Sequence, residues 1–172
     1  MTFEPIRTVL ADRFEVEREV GRGGVGIVYK AHDRVSGEAV ALKVIAIAGV
    51  DAGEEARFQR EGRVLSGLSH PSIVRVVDFG QLDQGQPYVA MEWLEGEDVA
   101  QRLKRTSLTL SQCLEIGAMM AEALASAHRA GVIHRDVKPS NIFLVGSARG
   151  TPPDAPFIAK LVDFGVAAAE DA

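Results

Sequence analysis

His134-Arg135-Asp136-Val137-Lys138-Pro139-Ser140-Asn141 is the stretch on which the reading of this chain turns. It lies between a long apolar-rich helical stretch and a short apolar run, so it reads as a loop between two regular elements. Upstream, Thr109-x-x-Gln112 has the spacing of a capping box, and Gly131 suits the residue just past a helix end. Leu114, Met120, Leu124 and many alanines make that helix apolar on more than one face, which predicts cover on both sides. Downstream, Ile142 to Val145 and Ala159 to Val162 read as short strands joined by a loop rich in Gly and Pro, Gly146 to Phe157. Asp163-Phe164-Gly165 follows at once.

The first half of the chain reads as strands. Phe14, Val16 and Arg18 alternate ahead of Gly21-x-Gly23-x-x-Gly26-x-Val28, and Ile27, Val28 and Tyr29 have strand character. Such glycines let a backbone approach phosphates closely, although the same spacing also marks an ordinary tight turn. A dinucleotide-binding loop needs a helix after the glycines. Here a second strand follows, closed by Ser36-Gly37, so the loop caps a β-hairpin. A Walker A loop fails too, because no Gly-Lys-Ser/Thr follows. Val40 to Ile45 is an apolar run with Lys43 inside it, 22 residues after Gly21. Glu54 to Ser66 reads as a helix that places Glu61 beside Phe58 and Leu65. Either Lys43 reaches water at an edge and Glu61 is solvated, or strand and helix pack together and each charge answers the other. Ile73 to Phe79 and Pro87 to Trp93 read as two further strands.

Bulk properties narrow the class. The chain has 172 residues, 47% of them hydrophobic and 25% charged, enough for about one domain with a sizeable core. A net charge of −5 speaks against nucleic acid as the main partner. Cys113 is the single cysteine, which excludes an intrachain disulfide and suits a reducing cytoplasm. No stretch approaches the ~18 apolar residues of a membrane span. A membrane anchor or further domains beyond Ala172 stay open.

The eight-residue loop at 134–141 resembles the catalytic loop of the protein kinase superfamily, and Asp163-Phe164-Gly165 resembles the metal-binding motif that follows it there. The order glycine loop, Lys43, Glu61, catalytic loop, Asp163 strengthens the likeness. Lys138 two places after Asp136 is the serine/threonine pattern, and the run Gly21 to Ala31 resembles bacterial, eukaryotic-like kinases. The resemblance implies an α+β, protein-kinase-like bilobal fold. A leader would cover 1–13, a small β-rich lobe with one helix 14–94, and the first part of a helical large lobe 95–172.

It also implies roles for named residues. Asp136 would orient the substrate hydroxyl and take its proton, and Lys138 would steady the transferring phosphate. Lys43, held by Glu61, would grip the ATP phosphates under Gly21, Gly23 and Gly26. Val20, Val28, Ala41 and Phe143 would enclose the adenine, with Met91 as gatekeeper, Glu92 and Leu94 as hinge and Asp98 toward the ribose. Asn141 and Asp163 would hold Mg²⁺, with Mn²⁺ as the alternative ion. His134 and Phe164 read as packing, joining Leu65 and Val76 in an apolar spine. The implied partners are ATP and a protein bearing serine or threonine.

Two departures from the family stand out. Asn141 to Asp163 spans 22 residues, and the excess falls in Gly146 to Phe157, which reads as a surface insertion. Seven residues follow Gly165, so the rest of the activation segment and the later helices are expected to be missing. The helix opening at Thr109 should then expose an apolar face, and this chain alone is expected to be poorly active. Two rival readings remain beside the kinase: a non-catalytic ATP-binding or scaffold module, and a small-molecule kinase of the aminoglycoside type. Lys138, Pro139 and the glycine loop favour the protein kinase over the latter.

Overall fold

The computed structural model describes residues 8–23, 26–46, 52–147, 152 and 155–164. Gly165, most of the expected leader and much of the Gly146 to Phe157 loop lie outside them. The chain divides into two compact units, Met1–Gly62 with Val76–Trp93, and Arg63–Arg75 with Leu94–Ala172.

The first unit is an antiparallel sheet of six strands in the order β1-β2-β3-β4-β6-β5. The strands are β1 (Val9–Leu10), β2 (Phe14–Gly23), β3 (Gly26–Asp33), β4 (Ala39–Ile45), β5 (Val76–Gln81) and β6 (Pro87–Glu92). β2 and β3 form the expected hairpin, with Gly23 opposite Gly26. β1 pairs with β2 through Val9↔Glu15 and Leu10↔Phe14, so the sheet starts inside the stretch expected as a leader. One sheet face holds the core: Phe14, Ala31, Val40, Leu42, Val44, Tyr88 and Ala90. That burial, alternating along β4, is why the run Val40 to Ile45 is a strand.

Around that core Arg13 draws together three strands. Its guanidinium forks onto Asp33 (Nε–Oδ1 2.7 Å, Nη2–Oδ2 2.8 Å) and reaches Asp78 Oδ2 at 2.9 Å. Tyr88 donates its hydroxyl to the same Asp78 oxygen at 3.1 Å. Asp33 is fully buried and its carboxyl is held far below the usual carboxylate range, chiefly by the Arg13 hydrogen bonds. Burial beside Asp78 raises the Tyr88 hydroxyl to about 12.

Helix α1 (Ala52–Ser66) covers the predicted Glu54 to Ser66 and begins two residues earlier. Within the first unit it lays Phe58 edge-on against Phe79 of β5, ring centroids 6.4 Å apart. The predicted strand from Ile73 is corrected to Val76–Gln81. Ile73 makes an isolated parallel bridge to Leu161, and Val74 N–H donates to Leu161 O at 3.0 Å. Those backbone groups are therefore spent in the second unit and do not extend β5.

The second unit holds β7 (Gly96–Asp98), α2 (Val99–Arg105), α3 (Leu110–Arg129), β8 (Ile142–Val145) and β9 (Ile158–Leu161), with the three strands in the order β7-β8-β9. α3 starts with the predicted capping box. Thr109 Oγ1 accepts from Gln112 N–H at 3.2 Å, and Gln112 Oε1 accepts from Thr109 N–H at 3.0 Å. It stops at Ala130, and Gly131 follows at φ +77°. Ile116, Met120, Ala123 and Ala127 recur at helical spacing as its buried stripe, and the first two pack with Val99, Leu144, Ala159 and Leu161. Leu110 and Leu114 are 76% and 66% exposed, so the expectation of cover on both sides is corrected at these two residues.

The loop between β8 and β9 is more than a surface insertion at its root. Ser147 is buried, accepts Arg102 Nη1–H at 2.8 Å and donates to Glu97 Oε1 at 3.1 Å. Arg105 also donates to Glu97. Burial alone would raise the Glu97 carboxyl, but the hydrogen bonds from Arg105, Ser147 and Arg102 hold it below its ordinary value.

Candidate active site

In the first unit the registers decide what shares a face. Cross-strand partners point the same way, and so do alternate residues along one strand. Val28 is opposite Lys43, and Ala41, two residues before Lys43, is opposite both Lys30 and Met91. Val28, Ala41, Lys43 and Met91 therefore lie on one face, opposite to the core face of Val40, Leu42 and Val44. All four are partly buried. Glu92 pairs with Val40 and so starts from the other face.

The glycines differ among themselves. A Cβ added at Gly26, which has φ +151°, would lie 3.0 Å from Ile45 Cα and closer still to the Val44 carbonyl oxygen. Gly26 is thus required by the fold itself, where β3 crowds β4. Gly21 and Gly23 have open space where a side chain would go. Among the described residues nothing in the fold requires their lack of a side chain, which leaves room for a ligand. Val20 sits at the β2 irregularity between Glu19 and Gly21, exposed near the hairpin end.

In the second unit the catalytic-loop residues converge. Lys138 Nζ donates to Asp136 Oδ2 at 2.6 Å, and Asn141 Nδ2 donates to the same oxygen at 3.1 Å and to Asp136 O at 2.8 Å. The 3-10 turn Pro139–Asn141, with proline in its first turn, folds Asn141 back onto Asp136. Asn141 is buried while Asp136 and Lys138 are exposed, so an anchored amide presents a reachable carboxylate. The Asp136 carboxyl is lowered, first by the Lys138 hydrogen bond and also by Asn141.

Asp163 is tied to this loop through its neighbour: Val162 N–H donates to Asn141 O at 3.0 Å. His134, 1% exposed, meets Val162 O through Nε2 at 2.8 Å. A carbonyl only accepts, so Nε2 carries the proton and Nδ1 is left to accept Asp136 N–H at 3.3 Å. The ring also lies 4.7 Å from that of Phe164. His134 and Phe164 are packing and orienting residues, as expected. Arg135 and Asp163 hold left-handed backbone at φ +67° and +59°, a cost that the surrounding bonds sustain at this loop and motif.

Asp98 and Phe143, expected at the ribose and adenine, are direct partners in the β7–β8 register. Asp98 also caps α2, accepting Gln101 N–H at 2.8 Å. Leu94 is half-buried at the start of this unit's second segment. Sequence reasoning did not find the Glu97-Arg102-Arg105-Ser147 cluster that braces β7 from behind. A glutamate in a three-residue strand, with arginines five and eight residues on, was the available signal. It also overlooked Trp93, over which Lys30 Nζ and Arg18 Cζ lie at 5.3 and 5.9 Å from the ring centre.

The protein kinase domain family model matches residues 14–171. The chain is 40% identical over 164 residues to the serine/threonine-protein kinase pkn2 of Myxococcus xanthus, covering 95% of this chain and 19% of that protein. It is 38% identical to pkn3 of the same organism, covering 99% and 30%, and 40% identical to PknE of Mycobacterium tuberculosis, covering 91% and 26%. It therefore spans less than a third of the length of these relatives. Among solved structures, the Mycobacterium tuberculosis PknI kinase domain superposes with TM-score 0.79 at 34% identity, covering 95% of this chain and 64% of that one. Rad53 1–466 in complex with AMP-PNP superposes with TM-score 0.73 at 29% identity, covering 90% and 38%. The fold is the protein-kinase fold, and the chain belongs to the protein kinase domain family.

Proposed function

We propose that this chain carries the ATP-binding and catalytic-loop residues of a serine/threonine protein kinase, which transfers the γ-phosphoryl group of ATP to a protein hydroxyl. The observation that carries the reading is the Asp136-Lys138-Asn141 cluster, closed by bonds of 2.6 and 3.1 Å on one carboxylate oxygen. Asp136 accepts the proton of the serine or threonine hydroxyl as its oxygen attacks the γ-phosphorus, and ADP leaves. Lys138, already on that carboxylate, is placed to neutralise charge on the transferring group. Lys43, on the face shared with Val28, Ala41 and Met91, takes the α- and β-phosphates, and Glu61 orients it.

Among the described residues no three His, Cys, Asp or Glu side chains converge. A divalent cation here would therefore rest on Asn141, Asp163 and the nucleotide's own oxygens, and oxygen donors of that kind fit Mg²⁺. When bound, Mg²⁺ supplies neutralisation of phosphate charge. Asn141 turns its amide nitrogen to Asp136, so its amide oxygen would be the atom that holds the cation. No helix among the described residues is long and apolar enough to cross a membrane.

The test is transfer of radiolabel from γ-labelled ATP to serine or threonine of a protein acceptor, beside Asp136→Asn. Label on the acceptor that the variant abolishes supports the proposal. Nucleotide binding without transfer, in a chain completed with the remaining kinase-domain helices of a relative, would replace it with a binding module, and label on a sugar or aminocyclitol with a small-molecule kinase.

A further inference from the structure

Helix α1 carries a glycine in its interior, one residue after Glu61. Glycine there is unfavourable relative to alanine, because it gives up more backbone freedom on folding. The fold supplies a steric reason for it. Gly62 is buried, and a Cβ built on it would lie 2.7 Å from both Cγ and Cε2 of Phe79 on β5, closer than real Cβ atoms come. Cδ2 comes closer still, and all three are atoms of one rigid ring fixed at its root, which cannot swing away as a flexible tip would. One turn earlier Phe58 meets the same ring, with planes at 68°. Phe58 and Gly62 are four residues apart and share a helix face, so the Phe79 ring is held by one and admitted by the other.

Glu61 is the next residue round the helix, about 100° from Gly62. The depth at which Gly62 seats on Phe79 therefore sets both the height and the rotation of the Glu61 carboxylate. We propose that Gly62 and Phe79 form a steric notch that seats α1 on β5 and thereby positions Glu61. Both act as positioning residues, and the inference rests on the kinase reading above for what Glu61 does.

The test uses the 172-residue chain with Gly62→Ala, Gly62→Leu, Phe79→Leu and the two double variants, read by Tm and by the Kd for Mg·ATP. Helix propensity alone predicts that Gly62→Ala raises Tm by about 2–4 °C. The notch predicts the opposite sign in the native background. It predicts a rise once Phe79→Leu has opened the space. Gly62→Leu should weaken Mg·ATP at least about 10-fold, and Phe79→Leu should restore most of that loss. A stabilised Gly62→Ala, or additive double variants, would overturn the notch. A lowered Tm with unchanged Mg·ATP affinity in the folded protein would overturn the positioning role. If the unmutated chain is folded and binds no Mg·ATP, the nucleotide reading and the positioning role fall together, while the sign reversal in Tm still decides the notch.

Discussion

Asn141 holds Asp136 through a single amide nitrogen, which donates at 2.8 Å to the backbone carbonyl and at 3.1 Å to the carboxylate. The pair makes the loop rigid at the carboxylate and leaves the opposite end of the amide for other work. Asn141→Ala removes both bonds and the amide oxygen together. Phosphoryl transfer should fall about 100-fold or more from misplacement of the Asp136 carboxylate. Asn141→Asp keeps an oxygen for a cation but sets a second carboxylate against Asp136. It should restore little, which kcat measured across the two variants would show.

The Lys138 hydrogen bond is the main cause of the lowered Asp136 carboxyl. A lowered value keeps the carboxylate charged further into acid, so under the proposed function the acid limb of the pH–rate profile should lie low. Lys138→Met removes that bond and should shift the acid limb of kcat/KM to higher pH. An unmoved limb, with kcat reduced, would assign Lys138 to the phosphate alone.

Asp33 and Arg13 give a prediction about stability. The Asp33 carboxyl is depressed in the folded chain, so its contribution is complete above the ordinary aspartate value near 4 and is lost as pH falls below it. Asp33→Asn leaves the Arg13 guanidinium, itself only partly buried, without its fork. It should cost about 2–4 kcal/mol at neutral pH. Denaturant unfolding should also show a shallower acid dependence in the variant, and an unchanged pH slope would contradict the assignment.

The glycine loop separates folding from binding. Gly26→Ala meets the backbone of Val44 and Ile45 and should lower Tm. Gly21→Ala and Gly23→Ala meet open space and should leave Tm within about 2 °C. Their effect should fall on nucleotide affinity, and equal Tm losses at all three positions would contradict this division.

What was legible in the sequence was what is local. The Thr109–Gln112 capping box, the stop at Gly131 and the span of β8 come from residues within one turn or strand of each other. The catalytic loop was legible because its residues lie within eight positions, so their convergence needs little from the rest of the fold. Features made across long separations were not. Arg13 meets Asp33 and Asp78 across 20 and 65 residues, which is how a stretch read as a leader joins the sheet. Ser147 closes the Glu97 cluster from 50 residues away. Gly62 looks like a defect in a helix until Phe79 is placed beside it. Ile73 and Val74 have strand character, but their partner is Leu161, which no local pattern identifies.

Calorimetric titration of the chain with Mg·ATP, beside Lys43→Ala and Asp163→Asn, tests the central claim most directly. The account predicts saturable binding by the unmutated chain, weakened at least about 10-fold in each variant, the size expected for a lost charged contact. A folded chain that binds no nucleotide, or binds it equally well without Lys43 and Asp163, would contradict it.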